Sequence, residues 1–202
     1  MLKIYGHPWS NASRRVQILC EELGVPYRYE TMDLMKGVQY GAEFQKINPN
    51  SKVPVIDDDG FVLWESQAIM RYLADKHKAE AWYPADRKRR AVVEQWLDWN
   101  QTRLGQEAAK IMFHTHFAGD KRNDKAIEDA MKWLEKILPV LEDELKQRSY
   151  IGGDQPDLAD IAVATNLSYL EMCKYDLTPY PTVTRWYERM KNRPSFTKTA
   201  PQ

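Results

Sequence analysis

Cysteine is nearly absent from this chain: Cys20 and Cys173 stand far apart, with no CxxC pair and no run of paired half-cystines. A disulfide scaffold is thereby excluded. Both residues fall inside apolar helical patterns and read as small hydrophobes in a reducing compartment. Net charge is absent too. The 29 Lys and Arg residues are balanced by 29 Asp and Glu residues, so no global field holds a phosphate backbone, which argues against a dedicated nucleic-acid or acidic-membrane binder. The densest basic run, Arg87-Lys88-Arg89-Arg90, opens a helical pattern beside Glu94 and Asp98 and reads as a solvated helix face. No apolar run approaches membrane-spanning length, and the opening Met1-Leu2-Lys3-Ile4-Tyr5-Gly6 reads as a strand meeting a turn rather than a basic leader with an apolar core. A cytoplasmic location is the expectation. Bulk, by contrast, is plentiful: 7 Trp, 11 Tyr and 5 Phe among 202 residues supply apolar surface for one large core or two small ones.

Along the chain the pattern changes once. Residues 2 to 5 read as a strand, and a helix follows the Gly6 to Ser10 loop with Val16, Leu19, Cys20 and Leu23 on one face, stopped by Gly24 and Pro26. Tyr27 to Met32 alternates as a second strand, parallel to the first if the helix is a crossover. A short segment through Phe44 and Ile47 precedes the turn Asn48-Pro49-Asn50-Ser51, and Val53 to Ile56 reads as strand three. Asp57-Asp58-Asp59-Gly60 is a hairpin signal leading to Phe61 to Trp64. A helix from about Ser66 to His77 closes the unit, with Ile69, Met70, Tyr72 and Leu73 turned inward.

After Pro84 only helical spacing remains. It runs through Val93, Trp96, Leu97, Leu104, Ala108, Ile111 and Met112, then through Ile127, Ala130, Met131, Leu134, Ile137, Leu138, Leu141 and Leu145. Pro139 falls inside the second run and predicts a kink or a local break in hydrogen bonding. Asp157 reads as an N-cap answered by Asp160 three residues on, at the start of a helix from Leu158 to Cys173 that is apolar nearly all round. Losing such a cap costs on the order of 1 kcal/mol, so both aspartates are assigned a structural role. The expected architecture is an α/β N-terminal domain of βαβ-ββα order with a mixed four-stranded sheet, followed by an all-α bundle: residues 1–78, a linker at 79–85, and residues 86–202.

Four segments, in order, resemble cytosolic glutathione transferases over nearly the whole chain: Ser51 to Ile56, Leu63 to Ile69, Asp157 to Ile161, and Tyr180-Pro181-Thr182-Val183 with Trp186 and Arg193-Pro194-Ser195-Phe196. The resemblance implies a thioredoxin-like first domain that binds glutathione as co-substrate. It also implies a helical second domain forming the electrophile pocket and a homodimer. The activity implied is conjugation of glutathione to small hydrophobic electrophiles or reduction of organic peroxides. A non-catalytic binding module and a glutathione-dependent isomerase or reductase are the alternatives, since one fold hosts many functions. The family likeness further implies a cis Val53-Pro54 bond that frees the Val53 N–H and C=O for a peptide ligand; an edge-strand proline is the competing reading. Glu65 and Ser66 stand where strand four becomes a helix. The Ser66 hydroxyl and the helix N–H groups suit a carboxylate, and Glu65 suits the ammonium of the same γ-glutamyl group. Ser66 acting only as an N-cap is the plainer alternative. Lys52 is within reach of a glycine carboxylate.

Thiol chemistry needs the thiolate, and a model thiol with a pKa of about 8.5 is mostly protonated at neutral pH. Lowering it by about two units takes roughly 2.7 kcal/mol, which a charge-assisted hydroxyl bond of about 1.5 to 3 kcal/mol and a helix N-terminus of about 0.3 to 2 kcal/mol supply together. Pro8-Trp9-Ser10, with Arg15-Val16 five residues after the serine, is similar to the serine-using theta- and phi-like classes, and Ser10 is the assigned catalytic hydroxyl. Asn11 and Ser13 are candidates to assist, Ser13 reading as back-bonded or surface. Tyr5, the rival in tyrosine-using classes, lies within the strand. No Cys stands between Trp9 and Arg14, which lowers disulfide exchange and the zeta-type isomerase in rank, and Gln39-Tyr40 replaces the His-Lys pair of the phi pattern. Candidates for the electrophile pocket are Trp9, Asn100, Arg103, Met112, Phe113 and His116. His114-Thr115-His116 is no metal pair, because i and i+2 diverge on a helix.

Overall fold

The computed structural model describes residues 1–201 and divides into two compact units, 1–80 with 193–201 and 81–192. In the first, β1 (Leu2–Gly6), α1 (Asn11–Leu23) and β2 (Tyr27–Thr31) form a β-α-β unit with β1 and β2 parallel. Gly24, left-handed at φ 63°, ends α1 by donating its N–H to the Cys20 and Glu21 carbonyls. Two 3₁₀ turns, Leu34–Lys36 and Val38–Tyr40, lead to α2 (Ala42–Ile47). Then come β3 (Val55–Asp58), β4 (Phe61–Trp64) and α3 (Ser66–Lys76), giving a sheet of order β2-β1-β3-β4 with the last two pairings antiparallel. Ile4, Val16, Ile18, Leu19, Val55, Ile56, Ile69 and Met70 are fully buried and form the core around this sheet.

Three expectations shift. Strand three begins at Val55 rather than Val53, because Pro54 has no N–H for the ladder and follows a cis bond. The reversal occupies only Asp59 and Gly60, with φ of 51° and 94°, while Asp57 and Asp58 extend the strand; this pair of positive angles matches the two-residue turn whose twist suits a hairpin. Tyr72 is half-buried rather than turned inward: its hydroxyl donates to Asp58 Oδ2 at 2.6 Å and its ring meets Phe61 at 5.0 Å.

The second unit is helical throughout its named elements. One helical run comprises α4 (Arg87–Trp99), a π-helical stretch (Asn100–Leu104), α5 (Gly105–Met112) and a second π-helical stretch (Phe113–Phe117). Long α6 (Asp124–Gln147) continues through Pro139, which is exposed and deprives the Glu135 carbonyl of its i+4 donor. The periodic positions named above are buried in both runs except Met131, which is half-exposed. Central α7 (Leu158–Met172) starts with the reciprocal capping box: Asp157 Oδ1 accepts from Ala159 N at 2.7 Å and Asp160 Oδ2 from Asp157 N at 2.9 Å. Asp160 Oδ1 also accepts from Ile151 N at 3.1 Å and from Trp186 Nε1 at 2.7 Å. In α8 (Pro181–Lys191) the first turn donates to buried Glu142, from Thr182 N at 3.0 Å and Val183 N at 2.9 Å.

The chain end corrects the expected domain boundary. Helix α9 (Pro194–Lys198) packs on α1, so residues 193–201 group with the sheet unit rather than with the bundle, and the division falls at 80/81. Long-range bonds explain this. Glu22 takes a fork from Arg193, Nε to Oε1 and Nη2 to Oε2, each at 2.7 Å.

Candidate active site

One row across the sheet runs through Glu30, Tyr5, Val55 and Trp64. The chain leaves this row at the same sheet end four times. It leaves after β1 toward Ser10, after β2 toward Gln39, before β3 through Val53-Pro54, and after β4 into Glu65-Ser66. Four segments distant in sequence are thus gathered at the carboxyl ends of the parallel pair, where open α/β sheets place ligands.

Ser10 is half-buried and caps α1. Its N–H donates to the His7 carbonyl at 2.9 Å, and its Oγ accepts from Ser13 N at 3.2 Å. A hydroxyl has two lone pairs and one proton, so the cap consumes acceptor capacity and leaves the O–H to donate at the positive end of a 13-residue helix. Ser13 is wholly buried, which corrects its reading as a surface hydroxyl; its Oγ accepts from His7 N at 3.3 Å and so ties the loop to α1. A Cβ on Gly6 would lie 2.9 Å from Ser13 Cβ and 2.5 Å from the Tyr29 hydroxyl, so this close approach requires glycine. Asn11 is buried at the first helical position, and Trp9 is 41% exposed. Burial lowers the pKa of His7 against the opposing charge of Asp33, and neutral His7 Nδ1 accepts from Trp9 N at 3.2 Å.

Before β3, buried Asn48 organises the turn that carries Lys52. Its Nδ2 donates to the Lys52 carbonyl at 2.7 Å, and its Oδ1 accepts from Asn50 N at 3.0 Å. Lys52 itself is exposed, and Val53-Pro54 is cis, which resolves the edge-proline alternative. At the start of α3, Glu65 occupies the N-cap with φ 72° and ψ 109°, a region non-glycine residues seldom visit. The Glu65 side chain makes no cap bond to this helix. Ser66 is therefore the first helical residue and not the N-cap. Its Oγ accepts from Arg15 Nη1 at 3.4 Å, and both side chains are buried. Arg15 and Asn48 appear in the sequence reading only as part of a motif and a turn, with no role in the site. The Arg14-Arg15 pair just inside a helix N-terminus, where cations are unfavourable, was the available signal for the first.

The helical candidates separate by exposure. Asn100 is fully buried, and its Oδ1 accepts from Asn166 Nδ2 at 2.8 Å; a Cβ on Gly105 would lie 2.8 Å from that same Nδ2. Met112 is 2% exposed, with its Sδ 3.8 Å from Cys173 Sγ. Both serve the interior of the bundle, which corrects their reading as pocket residues. Arg103, Phe113 and His116 are exposed, and all three lie in the two π-helical stretches, a helical irregularity that recurs at functional sites.

A model of the glutathione S-transferase N-terminal domain matches residues 9–76, and one of the glutathione S-transferase C-terminal domain matches residues 106–194. The glutathione S-transferase GstB of Escherichia coli K12 is 31% identical over 201 residues, covering 98% of this chain and 97% of that protein. Among solved structures, poplar glutathione transferase F1 superposes with a TM-score of 0.92 at 30% identity, covering 98% of this chain and 95% of that one. A glutathione S-transferase-I bound with lactoylglutathione gives a TM-score of 0.90 at 26% identity, with 98% of each chain covered.

Proposed function

The chain belongs to the glutathione S-transferase family, and from that premise we propose that this enzyme binds glutathione at the gathered sheet end and uses the Ser10 hydroxyl to hold its sulfur as thiolate. The observation that carries the reading is the shared row Tyr5-Val55-Trp64, which puts the Ser10 loop, the Val53-Pro54 step and the Glu65-Ser66 helix start side by side. An extended γ-glutamyl tripeptide finds matched partners there. Its α-carboxylate is received by the Ser66 hydroxyl and the first N–H groups of α3, with the Arg15 guanidinium behind Ser66 adding positive charge. Its ammonium meets Glu65, its backbone pairs with Val53, and Lys52 serves the glycine carboxylate. The bound structure with lactoylglutathione supports a glutathione-sized ligand on this fold.

In conjugation, the Ser10 O–H donates to the sulfur and lowers its proton affinity, and Asn11 borders this group. The thiolate electron pair then forms a carbon–sulfur bond as the leaving group departs with its own pair. Against a peroxide, the same thiolate bonds to the terminal oxygen as the O–O bond breaks, and the departing alkoxide takes a proton from water to leave as an alcohol. The sulfenic acid formed condenses with a second glutathione to give the disulfide and water. Exposed Trp9, next to Ser10 in sequence, is the side chain proposed to meet the electrophile.

Replacing Ser10 with Ala is expected to lower kcat about 10- to 100-fold, the worth of one charge-assisted hydrogen bond, while glutathione binding by calorimetry persists. Unchanged turnover would remove Ser10 from the mechanism, and no glutathione binding by the wild-type protein would remove the site. We propose a homodimer in the cytoplasm as the working form. Exposed Phe61, Val62 and Trp64 on edge strand β4 support an apolar interface, and a monomer by light scattering at micromolar concentration contradicts it. No helix among the described residues is long and apolar enough to cross a membrane.

A further inference from the structure

Helix α1 carries Ser10 at one end, and its 13 residues make a rod about 20 Å long. The C-terminal segment grips this rod at both ends. In the first turn, Arg14 Nη2 donates to the Phe196 carbonyl at 3.0 Å, and the guanidinium lies 5.5 Å from the centre of the Phe196 ring. Arg14 N also donates to the Ser10 carbonyl at 2.9 Å, so this anchor is one hydrogen bond from Ser10. In the last turn, Glu22 receives the Arg193 fork and the Ser195 hydroxyl at 2.5 Å, and Glu21 receives Lys198 at 2.7 Å. The Glu22 side chain is 12% exposed and that of Arg193 27%, which shields their pair from solvent far more than an ordinary surface contact. Burial pushes the Glu22 carboxyl up, but its bonds to Arg193 and Ser195 outweigh that and hold it below the ordinary value.

We infer that the segment from Arg193 to Thr199 is a positioning strap for the reaction: through Arg14 at one end and Glu22 at the other, it fixes the tilt of α1 and thereby the place of the Ser10 hydroxyl. The lever arithmetic gives the strap a function beyond stability. On a rod of about 20 Å, a tilt of about 3° moves the far end by about 1 Å, and a misplacement of that size costs up to about a hundredfold in rate. Arg15, the next residue, points its guanidinium at Ser66. The same first turn is therefore held by the strap through Arg14 and holds the α3 start through Arg15. Arg14 and Arg193 are positioning residues: they act through Ser10, and the inference rests on the proposed role of that hydroxyl.

The test follows the ultraviolet absorbance of enzyme-bound glutathione thiolate against pH, with steady-state kinetics, in wild type, Ser10→Ala, Arg14→Lys, Glu22→Gln, Arg193→Ala and Arg193→Lys. Arg14→Lys and Arg193→Ala are expected to raise the thiol midpoint by about half a pH unit and to lower kcat about tenfold. The glutathione dissociation constant should stay within about twofold, and Arg193→Lys, which keeps the charge but not the fork, should recover part of the loss. Should Arg193→Ala fail to fold, Arg14→Lys and Glu22→Gln decide. Folded variants with lowered Tm but wild-type midpoint and kcat overturn the strap and leave Ser10 in place. A wild-type midpoint in Ser10→Ala instead overturns the serine reading, and the strap's role falls with it.

Discussion

The N-terminus of α7 and that of α1 are both capped by a short oxygen-bearing side chain, Asp157 in one and Ser10 in the other. At α7 the polar groups are consumed inside the protein. Asp157 and Asp160 cap each other, Asp160 also takes the Ile151 amide and the Trp186 indole, and both carboxylates are buried. At α1 the cap is half-buried and spends a lone pair while its proton stays available. Helix α3 differs again, because its N-cap residue Glu65 makes no side-chain cap bond. The start of α7, whose donors and acceptors are closed on one another, holds the fold; the starts of α1 and α3 carry the ligand contacts proposed above.

The largest effect that sharpens this contrast is expected at α7. Asp160→Ala strips acceptors from three buried donors and should cost about 3 kcal/mol or more of stability, read as a lowered urea midpoint, with bound-thiol properties of the surviving folded protein unchanged. Next comes α3. Ser66→Ala should raise KM for glutathione about tenfold, the worth of a hydrogen bond to a charged group, with kcat nearly constant; an unchanged KM would make that helix start structural like α7. The smallest effect is the acid limb of stability carried by Glu22. Its pKa is depressed in the folded chain from an ordinary 4.5, so the stabilisation is complete above that value and is lost as pH falls through the folded one. Glu22→Gln should flatten urea midpoints measured between about pH 3 and 6, and an identical slope in both proteins would show that Glu22 does not carry it.

The contrast also marks what the sequence made readable. Asp157 and Asp160 are three residues apart, and their spacing alone spells the capping box. The βαβ-ββα order and the helical second half follow likewise from local periodicity. Arg193 and Glu22 are 171 residues apart, and no local pattern records that they meet, so the chain end was assigned to the wrong unit. Asn100 looked available because a polar residue on a helix is usually exposed; only the tertiary pairing with Asn166 beside Gly105 buries it. The helix expected from about Ser66 begins at Ser66, and this start separates the N-cap alternative from a first helical hydroxyl facing Arg15. The candidate site residues come from family resemblance joined to physical reasoning about thiolates and helix ends, whereas the row that gathers their segments needs the sheet register.

The most direct measurement is the pH titration of enzyme-bound glutathione thiol by ultraviolet absorbance, wild type beside Ser10→Ala. A wild-type midpoint about two units below the free-thiol value of roughly 8.5, rising by about one unit or more in the variant, is the predicted result. Coincident midpoints in the two proteins would contradict it.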